Sequence, residues 1–121
     1  MTTLTSPLAL LRDPTLLQTK GLIGAQWVHA AQSFTVHYPA TGLPLASVAN
    51  LDASHALQAV AAAEAAGPAW RARPAKERAS LMLRWFHLVH QHADDLARLM
   101  TAEQGKPLAE SRGEVAFGAS F

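Results

Sequence analysis

Hydrophobic and polar positions change period near residue 51. Before that point the apolar residues fall in short runs punctuated by Pro7, Pro14, Pro39, Pro44, Gly21, Gly24 and Gly42. Leu22–Val28 reads as a short strand anchored by Trp27, and Phe34-Thr35-Val36-His37 alternates as a half-buried strand does. Pro39-Ala40-Thr41-Gly42 reads as a turn, because proline presets φ and glycine tolerates positive φ. Leu45–Val48 then returns as a third strand. The pattern predicts a small antiparallel meander whose apolar face needs a cover.

From Asp52 onward the period is helical. Asp52 or Ser54 caps a helix running to about Ala66, with Leu57 and Val60 on one face, and Gly67-Pro68 is expected to stop it. A second helix is expected from near Pro74, with Leu81, Trp85 and Leu88 in one stripe and Met82, Phe86 and Val89 beside it. So broad a stripe predicts packing on two sides, and Trp85→Ala would then cost roughly 3–5 kcal/mol. His92-Ala93-Asp94-Asp95 reads as a break and a restart, two aspartates suiting a positive helix end. The third helix carries Leu96, Leu99 and Met100 and ends at Gly105-Lys106-Pro107. A fourth begins at Pro107 or Leu108, includes Val115 and Phe117, and shows no stop before Ala119-Ser120-Phe121, so truncation is expected.

Composition narrows the class. Half of the 121 residues are apolar, 16% are charged and the formal net charge is +1, which excludes a disordered, highly charged tail. The pI of about 8.3 arises from nearly balanced charges and gives no reason to expect nucleic acid. Alanine (25 residues) and leucine (17 residues) dominate, a helix-forming usage. The early apolar run Leu8-Ala9-Leu10-Leu11 is too short for an export signal, and no uncharged stretch approaches the ~20 residues that span a bilayer. A soluble, cytoplasmic, helix-rich chain without nucleic-acid or membrane partners is expected. No solenoid-length repeat occurs.

Candidate chemistry is sparse. With no cysteine, the chain has no disulfide, no thiolate metal ligand and no thiol nucleophile. His87 and His90 share a helix face near His92, but zinc needs further fixed ligands, and a solvated face is the plainer reading. His29, His37 and His55 are scattered. Gly105-Lys106 fails as a phosphate loop, because Met100 stands where the first glycine belongs and Pro107 replaces Ser or Thr. No dinucleotide glycine fingerprint occurs. Trp70 with Arg71, Arg73, Lys76 and Arg78 is the densest basic stretch; interrupted by Glu77, it reads as a solvated helix start around a buried tryptophan. Glu103, Glu110 and Glu114 offer carboxylates with no nucleophile beside them.

Three runs carry a more specific signal: Trp70-Arg71 through Ala75-Lys76-Glu77-Arg78-Ala79 to Leu83-Arg84-Trp85-Phe86; Asp94-Asp95-Leu96-Ala97-Arg98-Leu99-Met100-Thr101; and Glu103-Gln104-Gly105-Lys106-Pro107-Leu108-Ala109-Glu110. Together they closely resemble the amino-terminal region of aldehyde dehydrogenases. Ile23-Gly24-Ala25-Gln26-Trp27 and Tyr38-Pro39-Ala40-Thr41-Gly42 match the family's early strand and turn, except that Tyr38 replaces the usual asparagine. The EQGKPLAE run and the Gly113-Glu114-Val115 to Ala119-Ser120-Phe121 ending look most like the succinate-semialdehyde branch. The resemblance covers the chain from about Leu11.

The resemblance implies an α/β fold present as an amino-terminal fragment, mostly α-helical with a small antiparallel β-meander. Residues 1–121 would be the first part of the cofactor-binding domain: an arm at 1–20, the small sheet at 21–50 and helices at 51–121. It implies NAD(P)-dependent oxidation of succinate semialdehyde to succinate, with glutarate semialdehyde or another short acidic aldehyde as the alternative. In the family a cysteine thiolate attacks the aldehyde, hydride passes to the nicotinamide and a glutamate activates water. None of those residues falls on this chain, so no catalytic or cofactor-binding residue is assigned and the chain alone is expected to be inactive. NAD or NADP would be bound elsewhere in a complete, homo-oligomeric enzyme. The resemblance also suggests a monovalent cation held by Glu103 and the carbonyls of Val36 or His37. A non-enzymatic product, serving as a helical interaction module, is the remaining alternative.

Overall fold

The computed structural model describes residues 6–121. An arm comes first, with 3-10 turns at Pro7–Leu10 and Pro14–Leu16. Each turn has proline in its first position and an oxygen before it. Ser6 Oγ accepts from Leu8 N at 3.3 Å, and Asp13 Oδ1 accepts from Thr15 N at 3.0 Å and Thr15 Oγ1 at 2.6 Å. The Thr15 contacts hold the Asp13 carboxyl below its usual value.

Two antiparallel pairs follow in place of one meander: β1 (Gly21–Ile23) with β2 (Gln26–Val28), and β3 (Ser33–His37) with β4 (Pro44–Ala49). The expected continuous strand over Leu22–Val28 is therefore a hairpin. Ile23 faces Gln26 across a two-residue turn in which Gly24 has φ +56° and Ala25 φ +64°. Such turns need positive φ at both central residues, usually signalled by Asn-Gly; alanine bears a cost of about 1–2 kcal/mol there and hides the turn. The hairpin tip lies near the next helix: a Cβ on Gly24 would stand 3.5 Å from Ala62 Cβ. A backbone bond from Ala49 N to Thr19 O, 2.8 Å, ties the arm to β4.

The expected turn at Pro39–Gly42 does form. Tyr38 O accepts from Thr41 N and Gly42 N at 3.1 and 2.8 Å, and Gly42 takes φ +71°. The β3–β4 register breaks between Val36 and His37, and Pro44 stands opposite His37.

Helix α1 (Ala53–Ala72) is capped by Asp52, which accepts from Ser54 N and His55 N while the His55 ring reaches back to Asp52 N. The Ser54 and His55 hydrogen bonds hold the Asp52 carboxyl far below the carboxylate range. The helix does not stop at Gly67-Pro68; Pro68 lies inside it. Part of the pre-proline restriction comes from a Cβ, and Gly67 has none. A Cβ there would also meet the Arg71 guanidinium at 2.8 Å.

Helix α2 (Ala75–Gln91) begins after Pro74, and His92 both ends α2 and heads α3 (Ala93–Gln104). The break and restart are as the sequence predicts: His92 N donates to Leu88 O, and His92 O accepts from Leu96 N. Gly105, at φ +75°, closes α3, and α4 (Leu108–Ala119) follows Pro107. The tight core lies between α3 and α4, where Ala97, Leu99, Ala102 and Val115 are buried and Leu11 of the arm completes them. Thr101 Oγ1 and the fully buried Ser111 Oγ pair at 2.8 Å, satisfying both hydroxyls.

The stripe on α2 is helical as predicted, but the two-sided packing is absent. No residue of α1 or α2 is buried; Trp85 is 63% exposed and Leu57 72%. The large cost expected for Trp85→Ala does not apply to this chain. Total accessible surface is 8869 Å². A compact protein of 12.9 kDa exposes about 6,300 Å². Large apolar side chains on the helices, Leu57, Leu83 and Phe117 among them, are part of that exposed surface.

Candidate functional site

A sizeable apolar concavity is the usual first candidate for a site. Here it is an open groove of about 950 Å³ over α2, α3 and α4, lined by Met82, Phe86, Val89, Leu96, Met100 and Val115 among others. Glu114 is its charged member, and that carboxylate is already paired with Lys106 Nζ. The one hydroxyl of the lining, Ser120 Oγ, donates to Phe117 O at 2.7 Å and no acid–base pair stands beside it, so the groove has the chemistry of a packing surface.

The polar candidates are dispersed. His87 and His90 pack around Phe86, with ring centroids 5.4 and 4.4 Å away, and among the described residues no group of three or more His, Asp or Glu is placed to hold a metal. Arg71, Arg73 and Lys76 lie exposed around the α1–α2 corner, where Arg73 reaches Glu77 at 3.9 Å. Trp70 is not buried as expected but 39% exposed; it lies in the last turn of α1, which runs on past the anticipated stop. Glu110 is exposed in the first turn of α4. Gly105-Lys106 forms a helix end, as its failure as a phosphate loop requires.

The resemblance links residues on two pieces of the fold. Val36 and His37 end β3, Glu103 lies in the last turn of α3, and the β3–β4 tip leans on the helix end: a Cβ on Gly105 would stand 3.1 Å from Pro39 Cβ. Pro44 opposite His37 has no N–H, so it gives the His37 carbonyl no ladder bond. Glu103 and His37 are exposed and Val36 is half-buried. Gly105 joins the pieces twice over, through its left-handed φ and through its missing side chain. Gly105→Ala is expected to lower stability by about 1–2 kcal/mol, read from the urea midpoint at unchanged slope.

The most constrained polar group is one the sequence reading used only as a helix-start signal. Asp95 is 4% exposed. Its carboxylate accepts from Asp13 N at 2.9 Å and from Arg12 N at 3.1 Å to both oxygens. These backbone bonds, Asp13 first, hold its carboxyl below the usual value. Asp94 beside it points outward to Arg112 Nε at 2.9 Å. Asp95 thus fastens the arm to α3, an architectural role; nothing reactive lies beside it.

The described strands form two antiparallel hairpins, and no Gly-rich strand–turn–helix unit is among the described residues. Among the described residues, no helix is long and apolar enough to cross a membrane.

The fold and its motifs have close counterparts. Residues 27–121 match the aldehyde dehydrogenase family. Over 113 residues, 92% of this chain, the sequence is 49% identical to glutarate-semialdehyde dehydrogenase of Pseudomonas aeruginosa, covering 23% of that protein. It is 48% identical over the same length to an NADP(+) succinate-semialdehyde dehydrogenase of Escherichia coli, again covering 23%. The crystal structure of succinate-semialdehyde dehydrogenase from Burkholderia pseudomallei superposes with a TM-score of 0.88 at 46% identity, over 92% of this chain and 23% of that one. The chain thus spans about a quarter of the relatives it matches. The family match over residues 27–121 and the relatives at nearly half identity agree, and the chain belongs to the aldehyde dehydrogenase family.

Proposed function

We propose that this chain is the amino-terminal portion of an NAD(P)-dependent enzyme that oxidises succinate semialdehyde to succinate. The match at nearly half identity to semialdehyde dehydrogenases across almost the whole chain carries this reading. The 49% identity to the glutarate enzyme supports a five-carbon substrate as the second reading. Both substrates are short aldehydes ending in a carboxylate.

The part of this chain is scaffolding. It brings α3 and α4 together, fastens the arm through Asp95 and sets the hairpin tip against the end of α3. With no cysteine it has no thiolate to attack an aldehyde. The nucleotide, which accepts hydride in this chemistry, has no site among these residues and is bound elsewhere in the complete, oligomeric enzyme. Glu103, with the carbonyls of Val36 and His37, would hold a monovalent cation through oxygen donors, neutralising the carboxylate where hairpin and helix meet.

The test is to express the complete reading frame containing this sequence and follow NADH and NADPH formation. The expected result is turnover of succinate semialdehyde with kcat/KM about 100-fold or more above that of acetaldehyde, and no turnover by the 121-residue chain alone. Equal use of uncharged aldehydes overturns the substrate reading; no turnover of any aldehyde overturns the catalytic one.

A further inference from the structure

No residue of β3 or β4 is buried, so the tight core does not clamp that hairpin in place. It is held instead near its two ends. At the tip, Pro39 stands against Gly105, where a Cβ on the glycine would lie 3.1 Å from Pro39 Cβ. At the open end, Ala49 N donates to Thr19 O at 2.8 Å. Thr19 belongs to the arm, whose earlier part is fixed to α3: Asp95 accepts from Arg12 N and Asp13 N, and the adjoining Leu11 is buried.

These attachments close a frame. Asp95 lies in the first turn of α3 and Gly105 at its end, about 15 Å apart along the axis. Strand β4, from Pro44 to Ala49, spans about 17 Å. Helix and hairpin are thus two sides of similar length. The Pro39–Gly105 contact joins them at one end, and residues 13–19 of the arm join them at the other. A slack joining segment would transmit nothing, because an unbonded linker samples many end-to-end distances. This one is braced along its length. Pro14 fixes one φ, Leu16 N and Leu17 N donate to Asp13 O and Pro14 O at 3.2 Å, and Gln18 Nε2 donates to Thr15 O at 2.9 Å. Asp13 Oδ1 accepts from Thr15 as well. Fully extended, the six peptide steps would reach about 20 Å, and these bonds oppose that extension.

We propose that residues 13–19 are a stiff strap that sets the angle between the β3–β4 hairpin and α3, with the Pro39–Gly105 contact as pivot. Its two anchors, the Asp95 carboxylate and the Ala49 amide, act as one unit, so losing either loosens both. Such a coupling is reciprocal, and it travels through hydrogen bonds and one short braced element. The strap is independent of any aldehyde or turnover, so it can fail while the catalytic reading stands.

The test is hydrogen exchange, resolved by residue, on the polypeptide expressed from the complete reading frame that contains this sequence. Asp95→Ala is expected to lower protection of the Ala49 amide at least about fivefold, although that amide bonds Thr19 and not Asp95. Ala49→Pro removes the donor at the other anchor and is expected to lower protection at Arg12 and Asp13 by a similar factor. Two glycines inserted between Gln18 and Thr19 keep every anchor atom and lengthen the strap. In that background Asp95→Ala is expected to change Ala49 by less than about twofold. Unchanged exchange at Leu99 and Ala102 of the α3–α4 core shows that a variant is folded; should Asp95→Ala fail this control, Asp95→Asn replaces it. Effects confined to the amides whose own partner was removed overturn the proposal. A coupling that survives the glycine insertion overturns it too, because the signal then passes by another route.

Discussion

Leu99→Ala is expected to abolish the cooperative thermal transition of the 121-residue chain, turning a sigmoidal melt by circular dichroism into a gradual loss of helix. Truncating a buried leucine costs about 2–5 kcal/mol, from lost burial and from the cavity left behind. An ordinary domain has about 5–15 kcal/mol in total, and this chain stands at the low end by construction. Its buried apolar set is Leu11, Ala97, Leu99, Ala102 and Val115, and two of these are alanines with little surface to lose. Leu99, 9% exposed, is the largest side chain that the α3–α4 interface itself contributes to that set. A cooperative melt within a few degrees of the parent would show that the stability resides elsewhere.

The second large effect is local. Asp95→Ala is expected to free the arm, lowering hydrogen-exchange protection at the Arg12 and Asp13 amides by more than about tenfold, with α3 and α4 little changed. The substitution removes the acceptor of both amides, and buried donors left without partners are costly. Asp95→Asn, which keeps one carbonyl oxygen, is expected to retain part of the protection. The same bonds fix the pH dependence. The folded carboxyl titrates below its ordinary value near 3.9, so the unfolded chain binds the proton first. The contribution of Asp95 is therefore complete above that ordinary value and is lost as pH falls through the lower folded one. Exchange at Arg12 and Asp13 should accelerate over that acid range beyond the intrinsic trend; a flat protection factor there would show that another contact holds the arm.

These two residues also mark how far the sequence could be read. Asp94-Asp95 announced a helix start correctly, but hydrogen-bond geometry alone tells the aspartates apart: one faces Arg112 and the other the backbone 83 residues earlier. Local chemistry was legible wherever it was decisive. The glycine at 105, the proline at 107 and the carboxylate at 52 each act within a turn of their own position, and α3, α4 and the α1 cap fall where those residues put them. Two local signals misled. Pro68 looked like a stop, yet α1 runs through it to Ala72. Ala25 looked like strand, yet it holds a turn conformation that alanine seldom adopts. The stripe on α2 was read correctly as a pattern and incorrectly as a buried element, since a pattern records that a face is apolar and says nothing of what covers it. For the same reason the family motifs identified the chain's kin before any single residue in it could be given a chemical task.

His92 serves two helices at once, with no spacer between the end of α2 and the start of α3. A direct joint fixes the rotational phase of one helix against the other. Successive helical residues are turned by about 100°, so one residue inserted or deleted at His92 would swing all of α3 around its own axis by that amount. Asp95 would leave the arm, Leu99 would leave α4, and Gly105 would deliver the following chain in a new direction. The joint therefore tolerates exchange of its side chain far more readily than any change in its length.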